Sequence, residues 1–510
     1  MDLKNTIISD PSGFEEIASE LRDRGKTIAL AHGVFDLLHI GHLRHIKEAA
    51  SHADTLVISI TDDAFVNKGP GRPVFNAHMR AEMLAALDMV DYVIINHAPT
   101  SVPVIRAVRP DFYVKGQEYS SAEDDVTGNI TDEEDAVKAV GGNICFTGDI
   151  VFSSSNLLNS YFDVLTPDLR AFLADVKQEH SPEEIIALVE NVSKMRVLLV
   201  GDAIIDEYDY VSPMGRSAKE NIIATKHHDR EVFAGGCFAA ANHVAGLCAE
   251  VELLTCLGAH EPNEKLIRSS LKNNVTLTTV VRDDAPTTRK RRYLDRSYLH
   301  KMFEVYHFKD TPLAKPLQDD FDALVAEKAK EYDLVIVTDF GHGLIAPSTI
   351  KVLEDNAKFL AVNAQSNSAN YGFNLITKYP HADFVCIDAP EARLASGDKH
   401  GDIEGVTLTR LANTLSCDNI IITLGKAGCL TYARDHKTNT IPVFTSSVID
   451  TVGAGDAFFA IAAPIVAQGA NLKLAGIVGN AAGALKVGIV GHRNSIEKAS
   501  LIKFLTALFK

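Results

Sequence analysis

Asp450-Thr-Val-Gly453-Ala454-Gly455-Asp456-Ala-Phe458 leads straight into an apolar stretch that runs to Gly491. Small residues at 453–455 leave backbone N–H groups uncovered where a helix begins. Those orphan donors and the positive end of the helix dipole together form an anion hole. Asp456 stands beside it, placed to take a proton from an attacking hydroxyl. Moving a phosphoryl group depends mainly on positioning and charge stabilisation, and this string supplies both. Gln468, Asn471, Lys473, Asn480 and Lys486 break the apolar stretch, so it reads as buried helices rather than a membrane span.

Upstream, Arg196-Val-Leu-Leu-Val-Gly-Asp202 is a short apolar strand entering a turn. Strands and helices then alternate to the C-terminus, and residues 221–233, rich in β-branched residues and histidine, are expected as strands of a lid. The first part of the chain has the same rhythm. Strand-like runs at 27–31, 55–60, 92–96, 112–115 and 143–146 are separated by helical patterns. Such alternation implies parallel sheets covered on both faces. The expected organisation is α/β, with a domain over 1–165, a helical connector over 166–193 and a second domain over 194–510. Thr166-Pro167-Asp168 and Ser181-Pro182-Glu183-Glu184 both read as helix starts within the connector.

The first domain carries a second phosphate-handling pattern, Gly33-Val-Phe35-Asp-Leu-Leu-His39-Ile-Gly41-His42, after a buried strand. Gly33 and Gly41 allow close backbone approach. His39 and His42, three apart at a loop–helix junction, can point into one space and donate to a triphosphate whose charge is shifting. A helix from about His42 would add N–H groups and its dipole. Gly25-Lys26-Thr27 imitates the end of a P-loop, but Glu20 stands where a glycine is needed and a strand follows.

Composition narrows the classes. The 510 residues carry a net charge of −17, with 46% apolar and 23% charged. That balance suits a globular protein of two or three domains and disfavours nonspecific nucleic-acid binding. Seven dispersed cysteines without a C-x-x-C pair fit a reducing, cytoplasmic setting. The Met-Asp-Leu-Lys-Asn start has no signal-peptide profile. No membrane partner is expected. The acidic run from Glu118 to Asp135 is expected as a loop rather than a metal site.

The 450–458 string resembles the ribokinase-like carbohydrate kinases, over about 195–510. The resemblance implies Asp456 as catalytic base and Gly453, Ala454 and Gly455 as the anion hole. Asp206, Gly235, Gly236 and Lys290, with Asp456, would meet the sugar. Thr423, Gly425, Gly428 and Asn480 would border the nucleotide, and Asp388 and Glu391 would hold Mg²⁺ through water. Three departures stand out: Ala239 and Asn363 occupy places where the heptose kinases have Asn and Asp, and His342 replaces the Lys of an Asp-Tyr-x-Lys-Gly segment.

The first domain, over about 25–165, resembles the cytidylyltransferase-like nucleotidyltransferases, in particular the adenylyltransferase half of the bifunctional heptose 7-phosphate kinase/heptose 1-phosphate adenylyltransferases. His39 and His42 would stabilise the transferring phosphate. Gly33, Phe35, Gly41, Lys68, Arg72, Arg80, Lys115 and Gly116 would bind nucleotide or phosphate, with Ser154 and Ser155 at a helix start. The implied fold is a Rossmann-like domain followed by a ribokinase-like domain with a small β lid, in the reverse of the familiar order. The implied activity is phosphorylation of a sugar phosphate and nucleotidyl transfer to a sugar 1-phosphate, with Mg²⁺ and nucleoside triphosphates. The resemblance is compatible with a homodimer. Two alternatives stay open: another sugar or polyol phosphate as acceptor, or a kinase-like half that serves regulation or dimerisation.

Overall fold

The computed structural model describes residues 7–66, 73–116, 130–147, 165–297, 299–434, 438–445 and 447–509. The chain divides into two compact units, residues 1–166 with 502–510, and residues 167–501.

Six parallel strands form the sheet of the first unit: β1 (Ile7–Ile8), β2 (Ile28–Gly33), β3 (Thr55–Thr61), β4 (Tyr92–Asn96), β5 (Phe112–Gly116) and β6 (Asn143–Thr147). Their order is β1-β4-β3-β2-β5-β6. β3 is buried along its whole length, as continuous apolar strands are when helices cover both faces. Alternate residues feed two separate cores. Ala29, Ala31, Ile58 and Ile60 pack on one side, and Ile28, Leu30 and Val57 on the other. β1 was not expected; two residues are too few to show a period. From β2 the chain builds outward through β3 and β4, then returns to lay β5 on the opposite flank. That reversal creates a crevice at the carboxyl ends of β2 and β5, where α/β folds bind ligands.

The second unit has a nine-stranded sheet and a four-stranded one. The large sheet comprises β7 (Arg196–Gly201), β10 (Glu250–His260), β11 (Val275–Pro286), β14 (Leu334–Asp339), β15 (Leu360–Ala364), β16 (Phe384–Asp388), β17 (Asn419–Thr423), β18 (Cys429–Ala433) and β19 (Asn439–Ile441). Its order is β11-β10-β7-β14-β15-β16-β17-β18-β19, with β18 antiparallel to both β17 and β19. The small sheet is β13-β12-β8-β9, from β8 (Ala203–Arg216), β9 (Ile223–Gly236), β12 (Thr288–Asp295) and β13 (Lys301–His307). β9 covers most of the segment expected in a lid.

Helices Pro167–Glu179 and Pro182–Asn191, the expected connector, fall within the second unit. Lys473 Nζ reaches Glu179 at 2.7 Å, and Gln468 donates to the Leu188 carbonyl at 3.0 Å. Ser181 and Glu184 form the reciprocal cap that their spacing suggests. Among the described residues no helix is long and apolar enough to cross a membrane.

Candidate active sites

In the first unit, the loop after Gly33 turns through Phe35 at φ +48°, a region bulky residues seldom occupy. Buried groups impose that turn. Asp36, fully buried, accepts from the Val74 amide at 2.6 Å. Arg80, also fully buried, donates to the carbonyls of Val34 at 2.6 Å, Phe75 at 2.9 Å and Thr61 at 2.8 Å, and pairs with Asp63 at 2.5 Å. Arg80 was expected to bind nucleotide or phosphate; its guanidinium is engaged with the carbonyls of this loop and with Asp63.

Helix Ile40–Ala50 begins at the expected junction, two residues before His42. His39 is its cap, accepting from the Gly41 amide through Nδ1 at 3.1 Å. His39 and His42 nevertheless share one space, as expected, with rings stacked at 3.9 Å and tilted 21°. Phe35 meets His42 edge-on at 5.2 Å. Capping and phosphate binding are therefore compatible at His39.

Across the crevice, Lys115 on β5 pairs with the buried Glu133 at 2.6 Å, and Gly116 pairs in register with Thr147 on β6. Burial raises the Glu133 pKa, but Lys115 outweighs it and holds the carboxyl below its usual range. Thr147 Oγ1 also lies 2.9 Å from His45 Nδ1. His32, at the end of β2, meets Ser59 Oγ at 3.0 Å and Thr61 Oγ1 at 3.4 Å. Burial, with Lys115 nearby, lowers its pKa to about 4, so it is neutral. Sequence reasoning passed over His32, His45 and Thr147; a histidine inside the apolar run Ile28–Gly33 was the available signal. Lys68, Arg72, Ser154 and Ser155 lie outside the described residues, as does most of the acidic run.

In the second unit, Gly453 (φ +74°) caps helix Ala454–Ala467 and Asp456 stands in its first turn. Gln365 donates to Asp456 Oδ1 at 3.0 Å. Burial raises the Asp456 pKa above the usual carboxylate value, while His492 and Lys290 pull it down. Such a carboxyl is a better proton acceptor than an exposed one. Asp450 fixes the loop before it: its carboxylate accepts from the Val452 amide at 3.1 Å, the Gly491 amide at 2.9 Å and the Tyr208 hydroxyl at 2.8 Å. Lys486, fully buried, donates to the carbonyls of Val452 at 2.8 Å and Gly491 at 2.7 Å.

Asp206 on β8 is buried between Arg292 and His492, bonding one through each oxygen. Burial alone would raise its pKa; Arg292 and His492 reverse that and keep it ionised. A Cβ on Gly235 would lie 1.9 Å from Asp206 Oδ2, so only glycine fits there. Lys290 is buried, with Nζ 5.2 Å from the Tyr306 ring and 5.6 Å from Phe340. Arg292 and His492 were not among the expected site residues. His492 lies more than thirty residues from the glycine string, and no spacing rule links them.

The departures have clear surroundings. Asn242 donates to the Ser270 carbonyl at 2.8 Å and accepts from the Lys272 amide at 3.0 Å, and it lines the same cavity as Ala239. Ala239 lines a cavity of about 400 Å³ with Phe233, His243, Ser270 and His492. Asn363 donates to the Cys386 carbonyl at 2.7 Å. His342 is buried with neither ring nitrogen partnered among the described residues. Burial lowers its pKa to about 3, so it is uncharged.

Asp388 and Glu391 form a capping box on helix Ala389–Ser396. Burial, then the charge of Asp388, raises Glu391 to about 8, and burial raises Asp388 as well. Glu391 is buried and Asp388 is exposed beside it; a carboxyl pair of this kind fits the water shell of a divalent cation. Thr423 closes β17, and Gly425 (φ +57°) opens the turn to Gly428 (φ +95°). Asn480 donates to the Pro442 carbonyl at 2.7 Å.

Comparison with known proteins agrees with this division. Residues 30–171 match the cytidylyltransferase-like family. The bifunctional protein HldE of Aliarcobacter butzleri (strain RM4018) is 38% identical over 141 residues, 27% of this chain and 29% of that protein. HldE of Geobacter metallireducens is 37% identical over 139 residues, 27% of each chain. The chain thus spans less than a third of the length of the curated relatives it matches. Phosphofructokinase-2 from Escherichia coli superposes with a TM-score of 0.50 at 14% identity, over 62% of this chain and all of that one, a likeness of fold. Residues 194–499, more than half of the chain, match the pfkB family carbohydrate kinases, and to that family the chain belongs.

Proposed function

We propose that the chain is a bifunctional sugar-activating enzyme. Its second unit phosphorylates a sugar or sugar phosphate from ATP. Its first unit transfers a nucleotidyl group from a nucleoside triphosphate to a sugar 1-phosphate and releases pyrophosphate. The observation that carries the reading is Asp456: a carboxyl with raised pKa, held by Gln365, in the first turn of a glycine-capped helix. It would take the proton of the acceptor hydroxyl while the N–H groups of Ala454 and Gly455 receive the transferring phosphoryl group. Asp206 and Lys290 would hold the acceptor. In the first unit, His39 and His42 would donate to the phosphate whose charge grows as pyrophosphate leaves. Mg²⁺ bound with the nucleotide would neutralise phosphate charge, and Asp388 and Glu391 would hold its water shell.

Heptose 7-phosphate is the acceptor that the resemblance favours, with an ADP-heptose-like product from the second activity. A different acceptor is the second reading, favoured by the cavity beside Ala239. The test is a crossed pair of variants in the full chain. Each is incubated with MgATP and a panel of sugar phosphates that includes heptose 7-phosphate, and ADP, pyrophosphate and products are followed by mass spectrometry. Asp456→Asn is expected to lose about 10²–10⁴ in ADP formation while pyrophosphate release continues. His42→Ala is expected to lose about 10²–10³ in pyrophosphate release while ADP formation continues. Loss of both activities in either variant would refute the division of labour.

A further inference from the structure

His492 sits where the two halves of the kinase reaction would meet. Its side chain is 5% exposed, and Nε2 lies 3.1 Å from Asp206 Oδ2. The ring lies between two glycines. A Cβ on Gly235 would come within 3.3 Å of Nε2, and one on Gly453 within 2.8 Å of Cε1 and 3.4 Å of Nδ1. The Cε1–Nδ1 edge of the ring therefore faces the glycine that caps the Asp456 helix, and Nδ1, buried, has no hydrogen-bond partner among the described residues.

The loop before His492 is fixed from several sides. Gly491 adopts φ +50°. Its amide donates to Asp450 at 2.9 Å and its carbonyl accepts from Lys486 at 2.7 Å. A Cβ at that position would strike the Phe233 ring at 2.7 Å. A buried polar nitrogen without a partner costs free energy unless a ligand or an ordered water bonds it. With Nε2 committed to the Asp206 carboxylate, Nδ1 is the ring nitrogen left for a substrate oxygen. The helix start that this edge of the ring faces is an anion site.

We infer that His492 is a catalytic residue of the kinase unit that acts with a proton on each ring nitrogen: Nδ1–H donates a hydrogen bond to an oxygen of the transferring phosphoryl group, while Nε2–H donates to Asp206 and keeps it in place. No proton is transferred by His492. The acceptor hydroxyl gives its proton to Asp456, the new O–P bond forms, and the bond to ADP breaks. The inference rests on the kinase reading above.

Two conservative variants separate this role from simple support of Asp206. Glutamine can place an amide nitrogen near the position of Nε2, and asparagine one near Nδ1. Binding of MgADP alone and of MgADP with aluminium fluoride, a mimic of the phosphoryl group in flight, is measured by calorimetry on the full chain. The parent should bind the fluoride complex more tightly than MgADP. His492→Gln should lose about 10²-fold of that preference, the usual cost of one transition-state donor, with MgADP affinity unchanged. His492→Asn should keep most of it, within about tenfold of the parent. The opposite order, or equal loss in both variants, would reduce His492 to a support for Asp206 and overturn the inference. A parent that binds neither form would instead remove the kinase reading, and the inference with it.

Discussion

Both glycine loops are braced by a fully buried cation, but the cations differ. In the first unit Arg80 ties the Val34, Phe75 and Thr61 carbonyls together and has Asp63 as counterion. In the second, Lys486 ties Val452 to Gly491 and bonds only to carbonyls among the described residues. An arginine fork holds several acceptors in fixed geometry and keeps its charge. A buried lysine pays more for desolvation. Burial lowers the Lys486 pKa to about 8, against a nearby Asp450 that opposes the shift. One loop is thus held by a forked guanidinium with a counterion, the other by an ammonium whose charge burial weakens.

Breaking the arginine clamp should have the larger effect. Arg80→Met leaves three carbonyls and Asp63 without their donor. Removing one partner of a buried ion pair costs about 3–5 kcal/mol, and Asp63, 40% exposed on its side chain, puts the cost at the low end. Denaturant unfolding followed by pyrophosphate release should show it, with ADP formation surviving. A loss below about 1 kcal/mol would mean that the loop holds its shape without the clamp.

Lys486→Met should cost less, about 1–3 kcal/mol, because the substitution also removes a buried charge. Its signature is a slope with pH. The folded pKa of about 8 lies below the ordinary 10.5, so between those values the unfolded chain binds a proton that the folded chain does not. Stability from this group therefore rises with pH through that window. The parent should gain on Lys486→Met between about pH 8 and pH 10. Parallel stability curves for the parent and Lys486→Met would remove the distinction between the clamps.

The clamps also mark the limit of what the sequence reveals. Strands Ile28–Gly33 and Arg196–Gly201 and both glycine loops follow from local pattern, because apolar runs and small residues act over a few positions. Arg80 and Lys486 do not. Arg80 looked like a phosphate ligand and Lys486 like an interruption in an apolar helix. What each binds lies at the end of a long flexible side chain, and Val34 is 46 residues from Arg80. His492 escaped for the same reason. Ser181 and Glu184, whose partners lie within one turn, were fully legible.

The smallest effect concerns two histidines that burial makes neutral. His32 satisfies both ring nitrogens with Ser59 and Thr61, whereas His342 has a partner for neither among the described residues and meets Phe308 edge-on at 5.2 Å. Phenylalanine keeps that ring contact and removes two desolvated nitrogens, so His342→Phe should gain about 1 kcal/mol; His32→Phe should lose a similar amount. Acid sharpens the contrast. The folded pKa of His342 is about 3 and its ordinary value is 6.5, so its contribution is present above pH 6.5 and is lost as pH falls toward 3. His342→Phe should flatten that part of the decline in a pH series of unfolding midpoints. A loss of stability in His342→Phe at neutral pH would point to a water bonded to the ring in the adjoining cavity of about 30 Å³. The two histidines would then be held alike, and only the clamps would distinguish the two sites.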